Sequence, residues 1–318
     1  MNSDATVHLS AAVRQALDRH QPVVALESSV LAQGLPIPAN RSAAERMVGA
    51  VERQGAIAAI SAITRGRPVL GLEGQDLERF LCRDGVGKVS ARDLGVAMAR
   101  KADGATTVAA TLVLARVAGI GVFATGGIGG VHRSSRKLFE GSVQTRDESA
   151  DLLELARSRV VVVCAGAKSV LDLPATWERL ETLGVPVVGY RTLELPGFFT
   201  VRTGIRLSVR CDTAGEIARV ARCHWSMGNR QAVLVVQPPP AEQALTDEET
   251  ERAIDQAVAD AESKGIEGPA TTPFLLEAVN RLTNGRSLEV NLGLLERNAE
   301  LAADIACAFM AQTAAATT

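Results

Sequence analysis

The sequence lacks most features that mark disulfide-rich, metal-cage or polyanion-binding proteins. Aromatic residues make up only 3% of its 318 residues, and its five cysteines are widely spaced, which argues against a disulfide framework or a CxxC metal site. The formal net charge of −2 supplies no basic surface for phosphate backbones, so nucleic-acid binding is not expected. The four histidines are scattered and form no metal cage.

Long apolar runs are also missing. The longest, such as 160–167, are about eight residues, whereas a membrane-spanning helix needs about 20. The first twenty residues show no charged start followed by an apolar stretch, so no signal peptide is expected. Together these absences predict a soluble, cytoplasmic protein with reduced cysteines.

What is present is an alternation of short β-branched runs with amphipathic or alanine-rich stretches. Strands are predicted at 22–26, 56–63, 67–71, 120–124, 159–165, 185–189 and 232–236, and helices at 41–54, 106–119, 174–183, 213–227, 246–263 and 269–311. Asn40 is placed to cap the first of these helices. The polar segment 133–148 is predicted to be a loop. This alternation of strands and helices predicts a layered α/β protein with a largely parallel or mixed sheet.

Two ionisable residues stand at the ends of predicted strands. Lys168 follows the apolar run 159–165, and Glu27 follows the strand 22–26. Ligands of open α/β sheets bind at the carboxyl ends of strands. A partly desolvated lysine there can act as a nucleophile that forms a Schiff base, and a carboxylate can act as an acid or base. The alternatives are a surface lysine at a helix start and a carboxylate that caps a turn.

The glycine-rich turn 126–130 is a candidate anion site. Its backbone N–H groups could cradle a phosphate, and His132 and Arg133 follow it directly. The dinucleotide fingerprint GxGxxG is not met, because His132 stands where a glycine is needed, so a nicotinamide-dependent oxidoreductase is not favoured. The alternative is a tight turn within a packed sheet.

Two carboxylates, Asp147 and Asp151, are four residues apart. At a helix start this spacing would put both on one face, where they could hold Mg²⁺ or Mn²⁺ through oxygen ligands. The alternative is a pair of acidic residues that favour the positive end of the helix dipole.

Eight segments, spread in order along the chain, resemble the pseudouridine-5′-phosphate glycosidase family, which includes indigoidine synthase A-like and C-ribosyl enzymes. They are ALESS (25–29), GLPIPAN (34–40), KVSARDL (88–94), DGATTVAAT (103–111), FATGGIGGVHR (123–133), SADL (149–152), CAGAKS (164–169) and TPFL (272–275). The resemblance implies a single three-layer α/β/α domain over 21–312, after an N-terminal helix or tail at 1–20 and before a disordered tail at 313–318. It also implies a homotrimer.

The reaction implied by the resemblance is reversible cleavage of a C–C glycosidic bond, which converts pseudouridine 5′-phosphate to uracil and ribose 5-phosphate. Lys168 matches the imine-forming nucleophile and Glu27 the proton donor. Asp147 matches the manganese ligand, so one Mn²⁺ per subunit is expected. The remaining matches are substrate-binding or pocket positions: Lys88, Val108, Ser149, Ala150, Asp151, Thr125, His132 and Asn291.

The chain departs from the usual family pattern near the predicted pocket. Gln33 stands where the family usually has histidine, and Gln237 stands where it has asparagine. The segment between His132 and Asp147 is about seven residues longer than expected from the resemblance. A changed pocket rim is what a different aglycone would need, because pocket contacts determine specificity.

Two other interpretations remain open. A C-ribosyl synthase of the alnumycin type would share the lysine and the phosphate site and would join ribose 5-phosphate to an aromatic acceptor. A non-catalytic protein with the same fold is the other, and the joint presence of Glu27, Lys88 and Lys168 argues against it.

Overall fold

The structure is a computed structural model that describes residues 7–133, 147–266 and 271–317, with side chains described up to residue 312. Most of the predicted loop at 133–148 lies outside the described residues. So do the start of the predicted segment 1–20, residues 269–270 of the last predicted helix, and the side chains of the predicted tail 313–318.

Within the described residues the strands are β1 (His8–Leu9), β2 (Val23–Leu26), β3 (Ile57–Thr64), β4 (Arg67–Leu70), β5 (Val86–Val89), β6 (Asp103–Thr106), β7 (Val122–Ala124), β8 (Val131–His132), β9 (Val161–Cys164), β10 (Leu171–Asp172), β11 (Val187–Tyr190), β12 (Arg210–Cys211) and β13 (Val233–Val236). The helices are α1 (Ala11–Asp18), α2 (Ala39–Arg53), α3 (Gly74–Leu81), α4 (Leu94–Ala99), α5 (Val108–Ala118), α6 (Ala150–Leu155), α7 (Leu173–Thr182), α8 (Ala214–Ser226), α9 (Asp247–Ser263), α10 (Thr271–Leu282) and α11 (Arg286–Thr317). Each strand and helix predicted above corresponds to one of these elements, except that the last predicted helix is two.

One large sheet organises the described chain. Its main path runs β1-β4-β3-β2-β7-β9-β13-β11-β12, while β6 pairs with β3 and β5. All pairs from β3 through β2, β7, β9, β13 and β11 to β12 are parallel. Strand β3 pairs antiparallel with β4 and β6, so the sheet is mixed at that side. The predicted sheet type is confirmed.

Helices cover both faces of this sheet. The four residues of β2, β9 and β13 are all buried, which requires cover on both sides. Helices α2 and α8 both pack against α11, which also contacts β7 and β9, while α5 packs against α6 and against β2 and β3. The result is the predicted three-layer α/β/α arrangement in a single domain.

One local prediction is wrong. Asn40 does not cap α2, which begins at Ala39 after Pro38. Asn40 is instead buried inside the first turn, where its Nδ2 donates to Leu31 O at 3.0 Å and to Leu81 O at 2.8 Å. It therefore ties the turn after β2 to the end of α3, a contact between distant segments that the local sequence does not reveal.

The structure also describes the state of the cysteines and the apolar character of the helices. All five cysteines are free, in agreement with the sequence. In the described part of the chain, no helix has both the length and the apolar character needed to cross a membrane.

Candidate active site

The carboxyl ends of β2, β7 and β9 bring three predicted site residues together. The three strands are neighbours in the parallel sheet, so the residues after them meet at one edge. Glu27 directly follows β2, Thr125 directly follows β7, and Lys168 follows β9 after a short turn. They line one narrow cleft of about 40 Å³ and are called the cleft floor below. The predicted placement of Lys168 and Glu27 at strand ends is confirmed.

Glu27 is a buried carboxylate held by two hydroxyl groups. Only 3% of its surface is exposed. Ser29 Oγ donates to its Oε2 at 2.5 Å, and Thr125 Oγ1 donates to its Oε1. Two hydrogen bonds from different segments restrict the orientation of the carboxyl group. They fix the carboxylate at the cleft wall, as a group that delivers or accepts a proton requires.

Lys168 stands on a backbone fixed by close packing. Gly166 has a φ of +90°, and a Cβ at this position would lie 2.6 Å from Pro196 O, so only glycine fits. The backbone N–H of Lys168 donates to Ile128 O at 3.0 Å, which ties the turn after β9 to the turn after β7. The Lys168 side chain is half-buried. A side chain on such a backbone can meet an electrophilic carbon in a reproducible geometry.

Lys88 on β5 brings a second amine to the same cleft. Much of its surface still faces solvent, but the surrounding walls remove part of its hydration. This burial, and next the positive charge of Lys168, lower the pKa of Lys88, while the charges of Glu27 and Asp151 oppose the shift. The two amines therefore lie within electrostatic reach of each other.

Two helices and one loop complete the cleft wall. Asn291 comes from α11, Thr272 and Pro273 come from α10, and Phe198 comes from the loop after β11. Asn291 is buried, and its Oδ1 has no donor among the described residues. A larger cavity of about 490 Å³ is lined in part by Ser169, but both amines and Glu27 line the smaller cleft. The chemistry therefore belongs to the smaller one.

The predicted residues 149–151 form a second cluster beside the first. Asp151 is buried, and its carboxylate accepts from the backbone N–H groups of Ala109 at 2.9 Å and Gly129 at 2.8 Å. Ser149 caps α6 by accepting from Asp151 N, and Ala150 is the first residue of that helix. Val108 is buried at the start of α5, next to Ala109. The charge of Asp151 acts on Lys88, which links this cluster to the cleft.

The predicted pairing of Asp147 with Asp151 on one helix face is wrong. Asp147 precedes α6, and 69% of its side chain is exposed, whereas Asp151 lies in the first helical turn and points to backbone N–H groups. Asp147 Oδ2 lies 4.0 Å from His132 Nε2, and His132 N donates to Asp147 O at 2.9 Å. We call His132 and Asp147 the outer pair. Neither is among the residues that line the cleft.

The glycine-rich turn is used for packing more than predicted. The N–H of Ile128 donates to Gly166 O and that of Gly129 to Asp151, so neither is available to a phosphate. A Cβ on Gly127 would lie 2.6 Å from the Phe198 ring. Gly126 and Gly127 do line the cleft. The alternative interpretation, a tight turn in a packed sheet, therefore describes the middle of this segment.

Sequence reasoning missed a buried network of hydroxyl groups behind Glu27. Ser61 Oγ lies 2.7 Å from Thr106 Oγ1 and 2.8 Å from Thr111 Oγ1, and it donates to Leu26 O. Ser28 Oγ accepts from the Thr106 backbone N–H at 2.9 Å. The network joins β2, β3, β6 and α5 below the site. Its members lie inside β3, at or just after the ends of β6 and β2, and inside α5, so no single sequence pattern signals it.

No cluster of three or more His, Cys, Asp or Glu side chains that could hold a metal ion occurs among the described residues. A closed protein cage for a cation is therefore not formed by this part of the chain. The exposed carboxylate of Asp147 fits only a hard cation that keeps most of its water ligands, as Mg²⁺ and related ions do.

Comparison with known proteins extends over nearly the whole chain. Residues 12–308 match the family described as Indigoidine synthase A like protein. A protein of Gemmatimonas aurantiaca named pseudouridine-5′-phosphate glycosidase is 58% identical over 304 residues, covering 96% of both chains. One of the same name from Herpetosiphon aurantiacus is 49% identical over 300 residues, covering 94% of this chain and 97% of the relative.

Two solved structures are similar throughout. The prealnumycin C-glycosynthase AlnA, solved in complex with ribulose 5-phosphate, is 38% identical with a TM-score of 0.88 and covers 98% of this chain and 99% of its own. An indigoidine synthase A-like protein from Thermotoga maritima is 36% identical with a TM-score of 0.85, covering 96% and 97%.

Proposed function

This chain belongs to the indigoidine synthase A-like protein family, and from that premise we propose that it is a pseudouridine-5′-phosphate glycosidase. The proposed reaction takes pseudouridine 5′-phosphate and water to uracil and ribose 5-phosphate, and it is reversible. The observation that carries the proposal is the convergence of Lys168 and Glu27 in one cleft, at the ends of two strands that flank β7. Relatives of that name, up to 58% identical, support it.

The difficulty of the reaction is that the leaving atom is carbon. In the proposed mechanism Lys168 Nζ, as the neutral amine, bonds to C1′ while the bond between C1′ and the ring oxygen breaks, and a proton passes from this nitrogen to the ring oxygen. Glu27, in its protonated form, then delivers its proton to the base carbon. The nitrogen lone pair forms a protonated imine at C1′ while the electron pair of the C–C bond returns to the base, which leaves as uracil. Water hydrolyses the imine, its released proton returns to Glu27, and ribose 5-phosphate and the free amine are formed.

The binding roles follow the resemblance. Lys88, Val108 and the segment Ser149, Ala150 and Asp151 are proposed to bind substrate. Thr125 and Asn291, which line the cleft, are proposed as further pocket residues, as is His132 of the outer pair, which does not line it. The partial desolvation of Lys88 supports its role, because a charge in such surroundings interacts more strongly with a phosphate than one in open water.

We retain Asp147 as the proposed Mn²⁺ ligand. A hard cation held by one protein oxygen would supply positive charge near the phosphate group of the substrate. The exposure of the Asp147 carboxylate is compatible with a hydrated ion. A homotrimer located in the cytoplasm is also proposed from the resemblance, and light scattering after size-exclusion chromatography tests the trimer.

A C-ribosyl synthase is the second candidate. The observation that favours it is the structural similarity to the prealnumycin C-glycosynthase, at 38% identity. The higher identity, 58%, is to a relative named as the glycosidase. The glycosidase is therefore the first proposal.

The test is direct. The protein is incubated with pseudouridine 5′-phosphate, and uracil is measured by chromatography. In parallel it is incubated with ribose 5-phosphate and borohydride, and the adduct is located by peptide mass spectrometry. Uracil together with an adduct on Lys168 supports the proposal. An adduct on Lys168 without uracil favours the synthase, and an adduct on another lysine contradicts the mechanism.

A further inference from the structure

Gln33 lies in the cleft wall and is only partly bonded. It belongs to the π-helical turn Val30–Gly34, which begins three residues after Glu27. Its Nε2 donates to Val86 O at 3.3 Å. Its Oε1 is buried and has no hydrogen-bond donor among the described residues. One end of the amide is thus anchored, and the other is an unpaired acceptor.

The orientation of this amide is set by its anchor. If the amide were flipped, its carbonyl oxygen would face Val86 O, and two acceptors would repel each other. The oxygen is therefore the free end. Buried acceptors are normally paired, and an unpaired one in a cleft calls for a donor supplied from the cleft itself.

The proposed substrate offers two kinds of donor, the ribose hydroxyl groups and the N–H groups of the base, and the position of Gln33 decides between them. The phosphate is mainly an acceptor at neutral pH and would repel Oε1. The base of a C-linked uracil nucleotide retains two ring N–H groups, because its glycosidic bond is made to carbon. Gln33 shares a segment with Glu27, whose proposed proton goes to a carbon of that base. Asn291 Oδ1, in the same cleft, is a second buried acceptor without a described donor.

We propose that Gln33 is a specificity-determining residue whose Oε1 accepts a hydrogen bond from a ring N–H of the leaving base. This inference rests on the proposed glycosidase function and extends it to the aglycone. An amide stays neutral at every working pH, so this contact distinguishes bases by their N–H groups and not by charge. Sites built to bond a polar group discriminate strongly against analogues that lack it.

The experiment combines a variant with substrate analogues. Pseudouridine 5′-phosphate and its N1-methyl and N3-methyl derivatives are compared by kcat/KM in the wild type and in Gln33→Met, which removes the amide at similar length. In the wild type at least one methylated substrate should lose roughly ten-fold relative to the unmethylated one. In Gln33→Met the same ratio should approach one, because the contact is already gone.

A purely structural role would give another result. If Gln33→Met slows all three substrates by the same factor and leaves the ratios of the wild type unchanged, the inference is overturned. Gln312→Met is the matched control, because Gln312 also donates to a backbone carbonyl, Gly215 O, and does not line the cleft. Its ratios should match the wild type.

The experiment distinguishes a wrong role for Gln33 from a wrong proposed function. Trapping of ribose 5-phosphate on Lys168 should persist in Gln33→Met and shows that the variant is folded. If the wild type itself releases no uracil, the proposed function fails and the role of Gln33 falls with it. Uracil release with unchanged analogue ratios overturns only the role of Gln33.

Discussion

The cleft floor and the outer pair differ in how the fold holds them. Glu27 and Thr125 are buried, Lys168 is half-buried, and all three follow neighbouring parallel strands. In the outer pair, Asp147 is 69% exposed and its carboxylate lies 4.0 Å from His132. Groups that must meet a reacting atom are thus fixed by the sheet. Groups proposed to assist binding stand where a side chain can adjust.

Removal of the Lys168 amine from the cleft floor is expected to have the largest effect. Lys168→Ala should lower uracil release by at least about 10⁴-fold and abolish borohydride trapping, because the bond to C1′ can no longer form. Steady-state rates and intact-mass spectrometry measure both. Lys101→Met, which removes an exposed lysine outside the cleft, is the control. Persistent trapping in Lys168→Ala would disprove the assignment.

Glu27→Gln should have the next largest effect. Loss of the proton donor should slow C–C cleavage by about 10²- to 10⁴-fold, while the adduct with ribose 5-phosphate still forms. Single-turnover uracil release and borohydride trapping separate the two steps. Cleavage at the rate of the wild type would remove Glu27 from the mechanism.

The packing next to the cleft floor is tested by adding a methyl group at Gly127. Gly127→Ala should destabilise the protein by about 1–3 kcal/mol, because its Cβ would lie 2.6 Å from the Phe198 ring. Urea unfolding gives the free energy. Gly121→Ala is a matched control just before β7, since a Cβ there meets no atom of the described residues within 4 Å. Equal stability of the two variants would show that the floor is not tightly packed.

In the outer pair, Asp147→Asn should affect activity and leave folding unchanged. We expect roughly a ten-fold higher Mn²⁺ requirement, because one charged ligand is lost, and an unchanged urea midpoint, because the side chain is exposed. Activity is titrated with Mn²⁺ after chelation. Asp84→Asn, another exposed aspartate, is the control. An enzyme that needs no metal before or after chelation would refute this role.

The smallest expected effect concerns Lys88. Burial, and next the positive charge of Lys168, hold the pKa of Lys88 below the ordinary 10.5, so Lys168→Met should raise that pKa. Chemical shifts of ¹³C-methylated lysines against pH measure the change in the pKa. An unchanged pKa of Lys88 in Lys168→Met would show that the charge of Lys168 does not act on Lys88.

The lowered pKa of Lys88 also affects stability. The unfolded chain keeps the Lys88 proton to higher pH than the folded chain, so Lys88 makes the free energy of unfolding rise with pH up to about 10.5. Lys88→Met should remove that rise.

The sequence predicted the positions of those site residues that directly follow a recognisable strand. Lys168 and Glu27 each follow a short apolar run rich in valine, and such short β-branched runs favour buried strands over helices, so their strand-end positions were predictable. The role of Asn40 was not, because its partners Leu31 and Leu81 come from other segments. The separation of Asp147 from Asp151 depended on where α6 begins, and helix ends are the least predictable part of an element.

By itself the sequence determined the α/β class, the family and the identity of the residues that carry the proposed chemistry. Hydrophobic periodicity is a local property, and motifs are read directly from residue order. Only the tertiary structure decided that β2, β7 and β9 are neighbours and that Gly129 N–H is already bonded to Asp151. It also decided that the Gln33 Oε1 atom meets no donor in the part of the chain that the structure describes. These depend on contacts between residues far apart in the chain, which no local pattern specifies.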